Sequence, residues 1–289
     1  PVVDPDDHHL YATLGCAVEN IVIAAEAKGY KNLAIKIDEK DRSMTLSLGP
    51  LSPDCRGSTT SPLFDAIPKR QCTRSNYNGE KLTETELELL QKAGTGNGVN
   101  VILLSKKTDV DQVSSYVQEA NKAQCEDRGF VNELKGWIRF CSSEAKSTGD
   151  GIFSGSTGNP SVPRWLGSFV FDHVFTASAE NAKICQQIES SAGIAVFVSE
   201  QNDWKHWIEA GRCYERFALQ ATALGIQNAF LNQPVEVGEV RPAFAKSLGL
   251  SSQSRPDLVV RFGKGGAEMP RSQRRPLEAV LRVVEASSE

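Results

Sequence analysis

The stretch YATLGCAVENIVIAAEAKGYKN at residues 11–32 aligns without a gap with WIEAGRCYERFALQATALGIQN at residues 207–228. In the first stretch, apolar residues recur with the period of a helix, and Gly29 suits a helix end. The identical pairs are Gly15/Gly211, Glu19/Glu215, Ala25/Ala221, Ala27/Ala223, Gly29/Gly225 and Asn32/Asn228. This alignment predicts an internal duplication, the alternative being a chance match between two amphipathic helices.

The duplication predicts an α+β protein of two related halves about a pseudo-two-fold axis, a dimer folded into one chain. We expect the first half at residues 1–60, incomplete at its start because the chain opens on Pro1 rather than Met. The second half then spans 61–289. Residues 49–61 have the composition of a linker, and the polar stretch 142–160 is predicted as a long loop within a lid-like region at 142–167.

Local patterns place the remaining elements. A T-x-x-E capping box at Thr83 and Glu86 starts a predicted helix that ends near residue 93. Further helices are predicted at 109–125, 129–140, 180–190 and 203–224, and strands at 33–37, 44–48, 99–105, 193–198 and 257–262.

Composition narrows the possible function. The 289 residues are 40% hydrophobic and carry a net charge of −4, which argues against disorder and against nucleic-acid binding. No apolar run reaches the length of a membrane helix. The seven cysteines form no CxxC pair and the four histidines no ligand spacing, so free thiols and no metal are expected. We expect a cytoplasmic protein, with export as the alternative if a signal segment precedes Pro1.

Two basic clusters are the candidate sites. Arg70 and Arg74 are four residues apart, so that in a helical turn both guanidinium groups would share a face, with Thr73 beside them. Two guanidinium groups and a hydroxyl suit a phosphate monoester. The alternative is a pair of solvated surface arginines.

The second cluster follows a strand and a glycine-rich turn near the C-terminus. It holds Arg271, Arg274 and Arg275 within five residues of an otherwise acidic chain. Such a concentration of positive charge favours an anion site, the alternative being a solvated basic face.

Three spaced motifs carry a resemblance to a known family. They are AI..R..TR..Y…LT..EL..L near 66–90, W.EAG…ER..L.A.ALGI at 207–226, and PDLVVRFG…P.S.RRPLE.V at 257–280. In these motifs the chain resembles the FMN-dependent nitroreductase superfamily, and within it the Acg-like branch, whose members carry two nitroreductase-like halves in one chain. The resemblance implies a three-layer α+β fold with FMN held between the halves.

The resemblance also implies site residues. The family's R-x-S-x-R/K phosphate motif falls on Arg70, Cys72 and Arg74, with Thr73 as a substitute for the missing serine hydroxyl. Its C-terminal basic pair falls on Ser272 and Arg274, with Arg271 or Arg275 as substitutes for the lost basic residue. The segment that passes the flavin ring falls on Asn232, Gln233 and Pro234. An A-P-S-x-x-N-x-Q-P-W stretch that lines the flavin in the family does not occur in this chain.

The implied function is transfer of a hydride from NAD(P)H through the flavin to an electron-poor acceptor such as a nitroaromatic or a quinone. No side chain is expected to act as acid or base. The alternatives are a flavin-sequestering protein with a closed lid, and a protein with an empty pocket that acts through protein contacts. The chain is expected to be a monomer that mimics a dimer, with further dimerisation left open.

Overall fold

The computed structural model describes residues 2–38, 43–51, 61–272 and 274–284. Within them the order of elements is α1 (His8–Ala27), β1 (Ala34–Asp38), β2 (Ser43–Ser47), α2 (Pro62–Ala66), α3 (Glu84–Ala93), β3 (Val99–Leu104), α4 (Lys107–Glu126), α5 (Arg128–Trp137), β4 (Ile138–Arg139), α6 (Ser142–Thr148), β5 (Ile152–Phe153), a 3₁₀ turn (Ser154–Thr157), α7 (Arg164–Val174), α8 (Ala177–Glu189), β6 (Gly193–Ser199), α9 (Trp204–Ala223), β7 (Gln227–Phe230), α10 (Gln233–Glu236), α11 (Arg241–Ser247), β8 (Arg255–Gly263) and α12 (Leu277–Val280).

Strands β3, β6, β8 and β7 form an antiparallel sheet in that order, with helices on both faces. Strand β6 is buried along its whole length, and its successive side chains point to opposite faces. Ala195 and Phe197 pack with the core of α9, whereas Ile194 and Val196 pack with the core of α4 and α8. The three-layer α+β arrangement expected from the sequence is confirmed.

Helices α1 and α9, which carry the two aligned stretches, pack tightly against each other at their shared glycines. A Cβ atom at Gly15 would overlap the carbonyl oxygen of Ile208, and one at Gly211 would overlap the carbonyl oxygen of Ala12. Ala12 and Ile208 are themselves aligned positions. Gly15 on α1 approaches Ile208 on α9, and the aligned Gly211 on α9 approaches the aligned Ala12 on α1. These reciprocal contacts have the pattern that a two-fold axis between the helices produces.

Helix α1 is long and apolar enough, by length and composition, to cross a membrane. In the structure one face of this helix is buried, and it packs against α9. Its buried Glu19 carboxylate is 2.8 Å from Nε of Arg212 and 3.1 Å from Nη1 of Arg216, both on α9.

Most predicted elements are found within one to three residues of their expected ends. The capping box is present, with the Thr83 hydroxyl accepting from the backbone N–H of Glu86 at 3.2 Å. The prediction of a long loop at 142–160 is wrong for residues 142–157, which contain α6, β5 and the 3₁₀ turn. Helices α2, α7, α10, α11 and α12 were not expected. The predicted linker at 49–61 lies mostly outside the described residues.

Candidate functional site

The segment from Arg70 to Arg74 is extended rather than helical, which corrects the prediction of a helical turn. Cys72 forms a parallel bridge with Asn228 at the outer edge of β7, and the backbone N–H of Thr73 donates to the carbonyl of Asn228 at 2.9 Å. In an extended segment alternate side chains share a side. Arg70, Cys72 and Arg74 therefore face the same way, and Thr73 is buried on the other side.

A fully buried arginine holds this segment from behind. The guanidinium of Arg261 donates to the carbonyl of Thr73 at 3.2 Å and to that of Ser75 at 2.9 Å. It lies 4.2 Å from the centre of the Tyr77 ring, whose hydroxyl also donates to the Thr73 carbonyl. Burial lowers the pKa of Arg261. Arg261 makes no ion pair with the described residues, so a buried positive charge lies behind the extended segment.

In front of the segment is a cavity of about 700 Å³. This volume is within the usual range for small-molecule sites. The cavity lies where residues 67–74, 151–156 and 271–274, which are distant in sequence, meet Phe230 of β7. The cavity is lined by Ile67, Pro68, Arg70, Gln71, Cys72, Arg74, Gly151, Ile152, Ser156, Phe230, Arg271, Ser272 and Arg274.

Hydrogen bonds to the backbone join the two basic clusters. The Gln71 amide donates to the carbonyl of Met269 at 2.8 Å. In the opposite direction, the guanidinium of Arg271 donates to the carbonyls of Pro68 and Lys69. The C-terminal cluster is thus held against the segment that carries the first one.

The cavity has an excess of positive charge. Nε of Arg70 is 2.9 Å from the Glu215 carboxylate. Burial disfavours the charged form of Arg70, but nearby Tyr214 and Glu215 outweigh it and raise its pKa. Arg74, Arg271 and Arg274 form no ion pair with any carboxylate of the residues that the structure describes. Guanidinium groups in this state are suited to bind a phosphate or another anion.

The structure thus brings together six of the residues that the sequence singled out, and five lie outside the cavity lining. The six are Arg70, Cys72, Arg74, Arg271, Ser272 and Arg274. Thr73 is outside because its side chain is buried on the opposite side of the extended segment. The guanidinium of Arg275 is turned toward the carbonyl of Gly149, to which its Nε donates at 3.2 Å.

The segment expected beside the flavin ring is also outside this lining. The side-chain oxygen of Asn232 accepts from the backbone N–H of Val259 at 2.9 Å, which fixes the start of α10 on strand β8. Gln233 and Pro234 form the first turn of that helix, and Pro234 is buried. Phe230, two residues before Asn232, is the residue of this region that reaches the cavity.

Sequence reasoning missed the apolar part of the cavity wall, which includes Ile67, Ile152 and Phe230. Isolated apolar residues carry no local signal of a site, because the same residue types build the core. The lining therefore combines guanidinium groups with apolar side chains.

Comparisons of sequence and of structure with known proteins both find nitroreductases. No family model matches the chain. Two Mycobacterium tuberculosis proteins, one from each of two strains and provisionally named NAD(P)H nitroreductases, are each 23% identical to it over 285 residues, which is 96% of this chain and 78% of theirs. The FMN-dependent nitroreductase NfnB from Mycobacterium smegmatis, solved with NADPH, superposes with a TM-score of 0.50 at 12% identity, covering 78% of this chain and 98% of that one. The chain has the nitroreductase fold and is similar in sequence to proteins named as nitroreductases along nearly its whole length.

Proposed function

We propose that this protein is an FMN-binding oxidoreductase of the nitroreductase type. It passes a hydride from NAD(P)H through the flavin to an electron-poor acceptor such as a nitroaromatic or a quinone. The observation that carries the proposal is the convergence of Arg70, Arg74, Arg271 and Arg274 on one cavity. The fold and the sequence similarity support it, since NfnB is an FMN-dependent nitroreductase solved with NADPH.

The residues present fit FMN, which is an anion at one end and a flat aromatic ring at the other. Arg70, Arg74 and Arg274 would hold the phosphate, and Ile67, Ile152 and Phe230 offer apolar surface to the ring. When bound, the flavin supplies the hydride chemistry, and the protein supplies binding and orientation.

The chain's own part in the reaction is to bind, orient and exclude water. Arg261 fixes the backbone of Thr73 and Ser75, so that Arg70, Cys72 and Arg74 present a rigid face to the cofactor. Ile152 and Ser156 come from the folded segment that was expected to be a loop, and they form another wall. No step requires a side chain to move a proton.

We further infer that the chain is an internally duplicated, Acg-like monomer that mimics a dimer, with halves at 1–60 and 61–289. The reciprocal contacts of Gly15 and Gly211 support this. A second pair of contacts has the same symmetry. Asn20 bonds to Glu215 at 3.0 Å, and at the aligned positions Arg216 lies 3.1 Å from Glu19.

A flavin-binding titration tests the proposed function. The purified chain should acquire a flavin absorption band with FMN and lose it on addition of NADPH. Replacing Arg70 and Arg74 together by alanine should abolish FMN binding while the protein stays folded. A protein that is colourless after incubation with excess FMN and removal of the unbound flavin would refute the proposal.

A second candidate is a protein that sequesters flavin with little turnover. The observation that favours it is the folded state of residues 142–157, whose Gly151, Ile152 and Ser156 close one side of the cavity. The rate at which NADPH bleaches the bound flavin separates the two functions. Bleaching far slower than in an active nitroreductase, with tight FMN binding, would support sequestration.

A further inference from the structure

Glu215 connects the cavity to the helix pair at the centre of the molecule. Its side chain lies on α9 and the residue is only 1% exposed. Oε1 accepts from the Asn20 amide on α1 at 3.0 Å and lies 2.9 Å from Nε of Arg70. Burial raises the pKa of Glu215, and the Arg70 charge and the Asn20 bond oppose that rise. One carboxylate oxygen thus contacts both an α1 side chain and a cavity-lining arginine.

Its counterpart in the first aligned stretch has different partners. Glu19 is equally buried between the same two helices, but its cations are Arg212 and Arg216 of α9. Neither of these arginines lines the cavity. The two glutamates therefore occupy equivalent positions, and only Glu215 contacts the cavity wall.

The contact at Nε restricts what Arg70 can present. A guanidinium group is planar, and a bond at Nε fixes the orientation of that plane. The two terminal Nη groups then remain to bind an anion as a pair. Without the carboxylate, the long Arg70 side chain would have to be ordered by the anion itself, at a cost in side-chain entropy.

We propose that Glu215 is a positioning residue, which orients Arg70 for the phosphate of the bound flavin and is itself supported by Asn20. The α1–α9 interface thereby sets the anion affinity of a cavity to which α1 contributes no lining residue. The identity of the anion rests on the proposed function; the orientation of Arg70 does not.

Charge repulsion alone predicts the opposite effect of Glu215 on the anion affinity of the cavity. A carboxylate next to an anion site weakens anion binding by Coulomb repulsion, so neutralising it should strengthen binding. Loss of positioning should weaken it. The variant Glu215→Gln, which keeps the shape of the side chain and removes the charge, decides between the two effects.

The experiment measures FMN and riboflavin affinities of the full chain by quenching of flavin fluorescence. We expect E215Q to bind FMN roughly tenfold more weakly, because a neutral amide oxygen holds the Arg70 guanidinium less strongly than a carboxylate does. Riboflavin, which lacks the phosphate, should bind as it does to the unmodified protein. In an R70A background E215Q should have no further effect, because Glu215 acts through Arg70.

Glu19→Gln is the matched control, since it breaks a buried ion pair in the same helix interface. It should lower the thermal midpoint and leave the ratio of FMN to riboflavin affinity unchanged. An unchanged or tighter FMN affinity in E215Q, or an equal loss in E19Q, would overturn the inference. If E215Q does not fold, Asn20→Ala replaces it, and an unaltered affinity ratio in N20A would be equally decisive.

The proposed function and this inference fail separately. If the unmodified protein binds no flavin, the proposed function is refuted, and the same comparison is made with inorganic pyrophosphate as the anion. Weaker pyrophosphate binding in E215Q than in E19Q would still support the positioning of Arg70. Equal binding in the two variants would overturn it.

Discussion

Replacing Gly15 or Gly211 by alanine should destabilise the whole molecule, because these residues set the distance between α1 and α9. A Cβ atom at Gly15 would lie 2.9 Å from the carbonyl carbon of Ile208, and one at Gly211 would lie 2.7 Å from that of Ala12. Ordinary contacts between carbon atoms are about 3.5–4.0 Å. The helices would have to separate by roughly 1 Å, because the obstacle is backbone and cannot rotate away.

The size of the effect follows from two opposing contributions. Overpacking of a well-packed interface costs about 1–3 kcal/mol, and a backbone obstacle favours the upper end of that range. Alanine in place of glycine in a helix returns about 1 kcal/mol of helix propensity. We therefore expect each substitution to lower the free energy of unfolding by about 2 kcal/mol. That corresponds to a fall of roughly 4–8 °C in the thermal midpoint.

Gly136→Ala is the control, because Gly136 lies in helix α5 with no atom near the position of an added Cβ. It should raise the stability by up to about 1 kcal/mol. Urea unfolding of the three single variants and of the G15A/G211A pair tests the reasoning. The double variant should cost less than the sum, because the first substitution already separates the helices. Single variants as stable as the unmodified protein would refute the close packing of α1 on α9.

Three further predictions concern the cavity and the partly buried carboxyl group of Glu236. Arg74→Ala should weaken FMN binding at least tenfold and leave riboflavin binding unchanged. The control Arg282→Ala, outside the cavity, should alter neither affinity. An equal loss of FMN and riboflavin binding in the Arg74 variant would contradict a role in binding the phosphate. Cys72→Ser should bind FMN more tightly, because a hydroxyl donates to phosphate better than a thiol; weaker binding in the same titration would exclude contact with the phosphate. Burial raises the pKa of Glu236 to about 7. Between about pH 4.5 and 7 the folded state therefore holds a proton that the unfolded state releases. The stability of the protein should fall as the pH rises through this range. Glu236→Gln should remove this fall, and identical pH profiles of the urea midpoint in both proteins would contradict it.

The spacing of Arg70 and Arg74 shows where prediction from sequence succeeded and where it could not. Residues four apart share a face of a helix, and they also share a side of an extended segment. In the structure both arginines line the same cavity, although the local structure is extended rather than helical. The bridge of Cys72 to Asn228 selects the extended form, and a partner 156 positions away leaves no trace in local spacing.

Helices and strands with a clear hydrophobic period were predictable, because their pattern reflects one buried face. Strand β6 alternates between two cores, and the capping box at Thr83 carries its own signal. Residues 142–157 lack such a signal, since their order depends on other parts of the fold. The Arg139 guanidinium, for example, is 2.7 Å from Asp150, which joins β4 to the turn before β5.

The aligned asparagines at the ends of the two stretches have different surroundings and different roles. Asn228 is buried, its side chain accepts from the Tyr214 hydroxyl at 3.1 Å, and its carbonyl holds the segment that carries Cys72. Asn32 is exposed and has a left-handed backbone with φ of 54°. The first aligned stretch supplies most of α1, and the second supplies most of α9 and the start of β7. The arginines of the cavity come from residues 70–74 and 271–274, outside both stretches. The guanidinium groups of this site accordingly lie outside the aligned stretches, whereas the close packing of the helix pair depends on glycines that the two stretches share.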